Sequence, residues 1–249
     1  MVQIMSLNEG QFFKMGNGKS LRIIYPEMGA KHLTLNHSIF EPGQEFPQHI
    51  HEVSDDIFIV LEGGVSLRCG QVYTPIFKGD AVFVPAGEVH GTVNTTNSEA
   101  KLISFQGPPD PALYCGVKDA LVTGRVPKPS SSQTKILIRR LSEGDDFSFG
   151  KLLLKKVFHP NVGSRNLTLS LVELDADCDV AAHSYLNSES IWILLEGKVI
   201  FDFSGKKNPI RAGTVIFVPP RDVIAFLNIY NSKASLLNCV APPELPALH

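Results

Sequence analysis

The chain is poor in cysteine, in net charge and in long apolar runs, and each shortage removes a class of protein. Its four cysteines, Cys69, Cys115, Cys178 and Cys239, stand singly with no C-x-x-C pair. Neither a disulfide framework nor a zinc ribbon is encoded, and scattered thiols fit a reducing compartment. Lys plus Arg total 23 against 25 Asp plus Glu, a formal charge of −2 without a basic block, so no nucleic-acid partner is expected. No apolar run approaches a membrane helix, and the stretch Met1 to Gly10 has neither a charged n-region nor an apolar h-region. The expectation is a cytoplasmic chain with no membrane partner. Its 249 residues suffice for one large or two modest domains, each with a core of its own.

What the sequence does have is a repeat. Shifted by 134 positions, it falls on itself without a gap. Leu7, Glu9, Gly10 and Phe13 meet Leu141, Glu143, Gly144 and Phe147; Leu33-Thr34-Leu35 meets Leu167-Thr168-Leu169; Leu61-Glu62-Gly63 meets Leu195-Glu196-Gly197; Phe83-Val84-Pro85 meets Phe217-Val218-Pro219. Convergent turn chemistry would align a few glycines, not a whole register. The reading is two domains, 1–109 and 134–249, joined by a Pro- and Ser-rich linker over 110–133 with a short helical turn around Val117 to Leu121. Within each copy, short β-branched and aromatic runs such as Leu33 to Phe40, Ile57 to Leu61, Val65 to Arg68, Ala81 to Val84 and Leu102 to Phe105 alternate with glycine and proline. No run sustains a helical period, so the expected class is all-β, an antiparallel sandwich or barrel.

Histidines cluster in the first copy. From Gly43 the sequence runs through His49-Ile-His51 and Asp56 to Gly63, and from Gly79 through Pro85-Ala-Gly87 and His90 to Asn94. These segments resemble the two motifs of the cupin superfamily, G-x5-H-x-H-x4-E-x6-G and G-x5-P-x-G-x2-H-x3-N, with Asp56 in the glutamate position as the one departure. The resemblance implies two tandem jelly-roll barrels, a bicupin, with one divalent transition metal in the first barrel on His49, His51, Asp56 and His90. The residues agree with it. His49 and His51 are two apart and share a strand face. Three imidazoles and a carboxylate suit iron, manganese, nickel, zinc or copper better than calcium or magnesium. Aspartate is one methylene shorter than glutamate, so Asp56 either reaches the ion or leaves a three-histidine site with a water in the gap. Asp55 and Glu52 are poorer substitutes, and Asp55 should face away from Asp56 on an extended strand.

In the second copy the equivalent positions are His183, Tyr185, Ser190 and Ile224, and Asp177 and Arg221 replace two turn glycines. No metal is expected there. That copy is read as a supporting barrel or an oligomer interface, the alternative being a pocket in which His183, Tyr185 and Trp192 bind a small polar ligand. Two weaker signals are set aside. Gly18-Lys19-Ser20 ends like a phosphate loop but lacks its first glycine, and the Asn94 and Asn166 sequons matter only in a secreted protein.

Bicupins span dioxygenases, decarboxylases, isomerases, lyases, hydrolases and non-catalytic binders, and the fold does not choose among them. The simplest expectation is a metal-dependent enzyme of the dioxygenase type acting on a small oxygenated organic molecule. A metal-dependent isomerase, decarboxylase or lyase is the second reading, and a ligand-binding or storage protein the third. Phe58 and Val60 follow Asp56 at period two, which favours an aromatic or weakly polar substrate. Arg68 and Tyr73 are candidate orienters.

Overall fold

The structure, a computed structural model, describes residues 1–14, 16–110, 113, 135–150 and 152–249. The expected helical turn near Val117 and most of the expected linker lie outside the described residues. The described chain is built of strands and short 3-10 turns and divides into two compact units.

In the unit Gly10–Arg140, a seven-stranded sheet runs in the order Leu137–Arg140, Asp80–Val84, Asp55–Glu62, Ala100–Gly107, Thr34–Phe40, Lys19–Ile24, Gln11–Phe13. A four-stranded sheet runs Glu45–His49, His90–Val93, Gly64–Cys69, Val72–Phe77. All recorded pairings are antiparallel. Phe40, Phe58, Val65, Leu67, Val82 and Leu102 form the core of this barrel.

The other unit repeats the plan and adds one short strand, Ala247–Leu248, beside Asp179–Ser184 in its smaller sheet. Thr168–Leu174, Glu189–Glu196, Lys198–Phe203, Lys206–Arg211, Thr214–Val218, Ile224–Leu227 and Ala234–Ala241 each lie 134 residues after their counterparts. Its core is Leu174, Trp192, Val199, Phe201, Ile216 and Leu236. Bulk is traded between equivalent positions: Phe40 becomes Leu174 while Leu67 becomes Phe201. Volume is thus roughly kept, the kind of change a packed core tolerates.

The expected boundaries need correction at both ends. Met1–Glu9 belongs with Leu141–His249, because the strand Gln3–Ser6 pairs with Thr214–Val218. Leu137–Arg140 belongs with the first unit, where it pairs with Asp80–Val84. The two strands occupy the same repeat position, 134 residues apart, and each closes the sheet edge of the other copy's barrel. The assignment of 1–109 and 134–249 as separate domains misses this exchange. A second correction concerns the linker: Asp110 and Leu113 are buried parts of the first unit, for reasons that emerge at the site.

Three motif positions prove to be scaffolding. Gly43 and Gly87 have φ of 80° and 86°, and their counterparts Asp177 and Arg221 keep the left-handed conformation at 60° and 70° without glycine. Asn94, fully buried, donates from Nδ2 to the carbonyls of Phe40 and Ser98, both at 2.8 Å, and accepts the Thr96 N–H at 2.9 Å. Asn228 makes the same staple to Leu174 and Ser232. A side chain so used is a loop fastener and not a glycosylation acceptor.

Candidate metal centre

The strand Glu45–His49 ends on His49, and His90 opens the strand His90–Val93 directly opposite it. The register between these strands slips after His90, and Gly91 sits at the slip. A Cβ there would lie 2.9 Å from both Gln48 N and Phe46 O, so only glycine lets the strands approach closely enough to bring the two imidazoles together. Asp56 lies near the start of Asp55–Glu62 and Ser104 on the neighbouring strand Ala100–Gly107.

The structure brings His49, His51 and His90 together, with ring nitrogens all within 4.8 Å of one another. Asp56 Oδ2 lies 3.8 Å from His51 Nε2 and 3.6 Å from His90 Nε2. All four are buried. Each imidazole is oriented through its other nitrogen. His49 Nδ1 donates to the Pro47 carbonyl at 2.8 Å and His90 Nδ1 to the Glu88 carbonyl at 3.2 Å. His51 Nδ1 donates to the Asp110 carboxylate at 3.2 Å. Carbonyl and carboxylate oxygens only accept, so all three Nδ1 atoms carry a proton, and in the neutral rings all three Nε2 atoms present lone pairs. Two of these, on His49 and His51, are 3.1 Å apart. Facing lone pairs repel unless a cation sits between them. A proton would serve that one pair alone. A divalent transition metal would serve all four, and the donor set fits one.

Asp56 is poised to be an anion. Burial raises its pKa, but positive charge placed at His90 and His51, by proton or by metal, and the Ser104 hydroxyl, which donates to Oδ1 at 2.7 Å, outweigh burial and hold it below the usual carboxylate value. Asp55 faces elsewhere, as parity requires, and accepts the Ala86 N–H at 3.1 Å.

Sequence reasoning missed Asp110, Gln106 and Ser104. Gln106 accepts the Asp110 N–H at 3.2 Å and holds its Nε2 3.0 and 3.2 Å from the two ring nitrogens of His51. The available signal was position: Gln106 and Asp110 bracket the end of the strand Ala100–Gly107 beside Asp56. The expected orienters Arg68 and Tyr73 are not brought to the site. Arg68 contacts Glu45 at 3.6 Å and lies over the Tyr73 ring, and Tyr73 is exposed.

The imidazoles open onto a cavity of about 60 Å³ with a two-faced lining. Phe13, Phe40, Phe46, Phe58, Leu102 and Leu113 supply an apolar wall, and Asn36, Ser38, Thr92, Ser104 and Gln106 a polar one. Asn36 Oδ1 is buried there with no partner, so the polar wall holds an acceptor for a ligand's donor.

Comparison with known proteins agrees with this fold. Residues 36–105 match the family model of the cupin domain. The chain has a bicupin fold. It is 27% identical over 120 residues to the tetracenomycin polyketide synthase protein TcmJ of Streptomyces glaucescens, covering 48% of the chain and 78% of that protein. A Methanocaldococcus jannaschii protein, MJ1618, is 27% identical over 93 residues, 36% of the chain and 74% of that protein. Among solved structures, E. coli Ylba superposes with a TM-score of 0.74 at 11% identity, covering 98% of this bicupin and 92% of that chain. Bacillus subtilis oxalate decarboxylase gives 0.71 at 13% identity, covering 98% and 78%. At such identities these structures share the fold. Among the described residues, no helix is long and apolar enough to cross a membrane.

Proposed function

We propose that this bicupin is a metal-dependent enzyme that turns over a small, weakly polar oxygenated molecule in its first barrel, with His49, His51, His90 and Asp56 as metal ligands. The observation that carries the reading is the convergence of three oriented lone pairs and one carboxylate, with His49 Nε2 and His51 Nε2 3.1 Å apart. A divalent metal bound there supplies a Lewis acid and, if it is iron or copper, a redox centre for dioxygen. The remaining work falls to the chain. The phenylalanine wall excludes water and accepts an apolar or aromatic skeleton. Asn36 and Ser104 lie where they can orient an oxygenated group. Four protein ligands leave room on a six-coordinate ion for substrate, as a catalytic rather than a structural site requires.

The dioxygenase type is the first reading because the apolar wall would shield a reactive intermediate. The likeness to a polyketide synthase protein supports a polyketide-type substrate. The fold shared with oxalate decarboxylase keeps a decarboxylase, isomerase or lyase as the second reading. Reconstitution with iron(II), copper(II), manganese(II), nickel(II) or zinc(II), followed by screening catechols, flavonols, diketones and keto acids with an oxygen electrode and product analysis, decides between them. Turnover without oxygen uptake would move the assignment to the second reading. Binding without turnover under every metal would make the protein a ligand carrier.

A further inference from the structure

The second barrel retains a cavity and changes its chemistry. A space of about 30 Å³ lies among Phe149, His183, Tyr185, Trp192 and Asn238. Trp192 and Asn238 are direct cross-strand partners, so their side chains share one face of the sheet. The His183 ring lies 5.6 Å from that of Trp192, 5.9 Å from that of Tyr185 and 5.1 Å from that of Phe149. His183, Trp192 and Asn238 are 1%, 3% and 5% exposed. Each carries a buried polar atom without a partner: His183 Nε2, Trp192 Nε1 and Asn238 Nδ2. A buried polar group left unmade costs about 1–3 kcal/mol, so three in one cavity call for an occupant.

Their roles are fixed by what they already touch. His183 Nδ1 donates to the Ala181 carbonyl at 2.9 Å, which makes Nε2 an acceptor. Burial lowers the pKa of this imidazole and keeps it neutral. Asn238 Oδ1 accepts the Tyr185 hydroxyl at 3.2 Å, so its NH2 is free to donate. An indole nitrogen only donates. The cavity therefore offers two donors and one acceptor where the equivalent positions of the first barrel hold His49, Phe58 and Ser104. Lys156 also lines it, but its Nζ is turned to the Phe147 ring, 3.3 Å from the centroid, and the His183 lone pair would repel an anion.

We infer that the second barrel is a metal-free binding site for a small uncharged molecule bearing a carbonyl beside a hydroxyl. The carbonyl oxygen accepts from Trp192 and Asn238, and the hydroxyl donates to His183 Nε2. A water-sized group needs roughly 10–15 Å³, so the cavity matches two adjacent polar groups, with the aromatic walls taking the carbon skeleton.

Trp192 is the single tryptophan of the chain, so its indole N–H gives one resonance that reports on this cavity alone. The experiment titrates the full-length, nitrogen-labelled protein with hydroxyacetone, and separately with acetone, 1-propanol and glycolate. The expected result is a saturable downfield shift with hydroxyacetone at concentrations about tenfold lower than for the other three. The shift should persist in His49→Ala, which disables the first barrel. His183→Phe, a shape-conserving change, should abolish the preference for hydroxyacetone over acetone, and Asn238→Val should weaken both. No saturable shift below roughly 100 mM, the range where so small a ligand should bind, would mean that ordered water alone fills the cavity and would overturn the inference. So would tighter binding of glycolate, loss of the shift in His49→Ala, or an unchanged preference in His183→Phe.

Discussion

Asp110 offers the sharpest test of the metal centre, because it is a charged group orienting an imidazole that mutation can remove. His49 and His90 are held by backbone carbonyls, which no side-chain substitution deletes. His51 relies on the Asp110 carboxylate at 3.2 Å, with the two side chains only 5% and 7% exposed. A carboxylate in this place fixes the tautomer and raises the basicity of the imidazole, and losing such a partner typically costs ten- to a hundredfold in metal affinity, about 1.4–2.8 kcal/mol. Asp110→Asn keeps an acceptor for the Nδ1 proton and loses only the charge, so its loss should sit near the lower figure. Asp110→Ala removes the acceptor as well and should approach the upper one. The assay is competition with a chromogenic chelator for zinc or manganese at fixed pH, with circular dichroism to confirm that the barrel is folded. If both variants stay within about twofold of the parent protein, outer-shell orientation contributes nothing, and the argument from converging lone pairs fails with it.

Metal content near one per chain should vanish in His49→Ala and persist in His183→Ala, read by elemental analysis of protein purified without chelators; two equivalents per chain would contradict it. Asp56→Ala should weaken metal affinity and alter the metal's spectrum while the protein stays folded, and an unchanged affinity and spectrum would show that the carboxylate never coordinates. A fragment of residues 10–140 should be more soluble and better metallated than one of residues 1–125, since only the former contains Leu137–Arg140, the partner of Asp80–Val84; equal behaviour would mean the exchanged strand is dispensable. Arg221→Gly should stabilise the protein by about 1 kcal/mol in urea unfolding, because left-handed strain at a non-glycine residue outweighs the extra freedom of glycine in the unfolded chain; a lower midpoint would refute this.

Much of this architecture was legible because the repeat is gapless: equivalent strands fall 134 residues apart, and the motif spacing placed His49, Asp56 and His90 at strand ends, with His51 two residues past the first, where the fold gathers them. Two things were not legible, for different physical reasons. The strand exchange was hidden because Gln3–Ser6 and Leu137–Arg140 hold the same repeat position, so pairing within or between copies satisfies the same hydrophobic pattern. Only the tertiary course of the chain chooses. Asp110 was hidden because its proline-rich surroundings read as connector, and its partner lies 59 positions away. Its role depends on where the backbone leaves the strand Ala100–Gly107, which composition does not encode. Arg68 and Tyr73 failed for the converse reason: charge and aromaticity marked them as functional, but they satisfy each other and Glu45 away from the cavity.

The two copies separate what builds this barrel from what gives it chemistry. Positions that set the backbone are kept in function even where the residue changes: Asp177 and Arg221 hold the left-handed turns of Gly43 and Gly87, and Asn228 repeats the staple of Asn94. Positions facing the cavity are free of that duty. His183 retains the ring-to-carbonyl bond that orients His49, to Ala181 in place of Pro47, while Tyr185, Ser190 and Ile224 stand where the first copy has His51, Asp56 and His90. Tyr185 instead spends its hydroxyl on Asn238, the counterpart of the Ser104 that serves Asp56. The side-chain hydrogen bond at this position thus serves an anion in the first copy and involves a neutral amide in the second. Because sheet hydrogen bonds and the alternate face carry the fold, such exchanges cost little provided each new polar atom finds a partner. A duplicated barrel of this kind can therefore change from gathering lone pairs around a cation to offering neutral donors and an acceptor, without altering a strand.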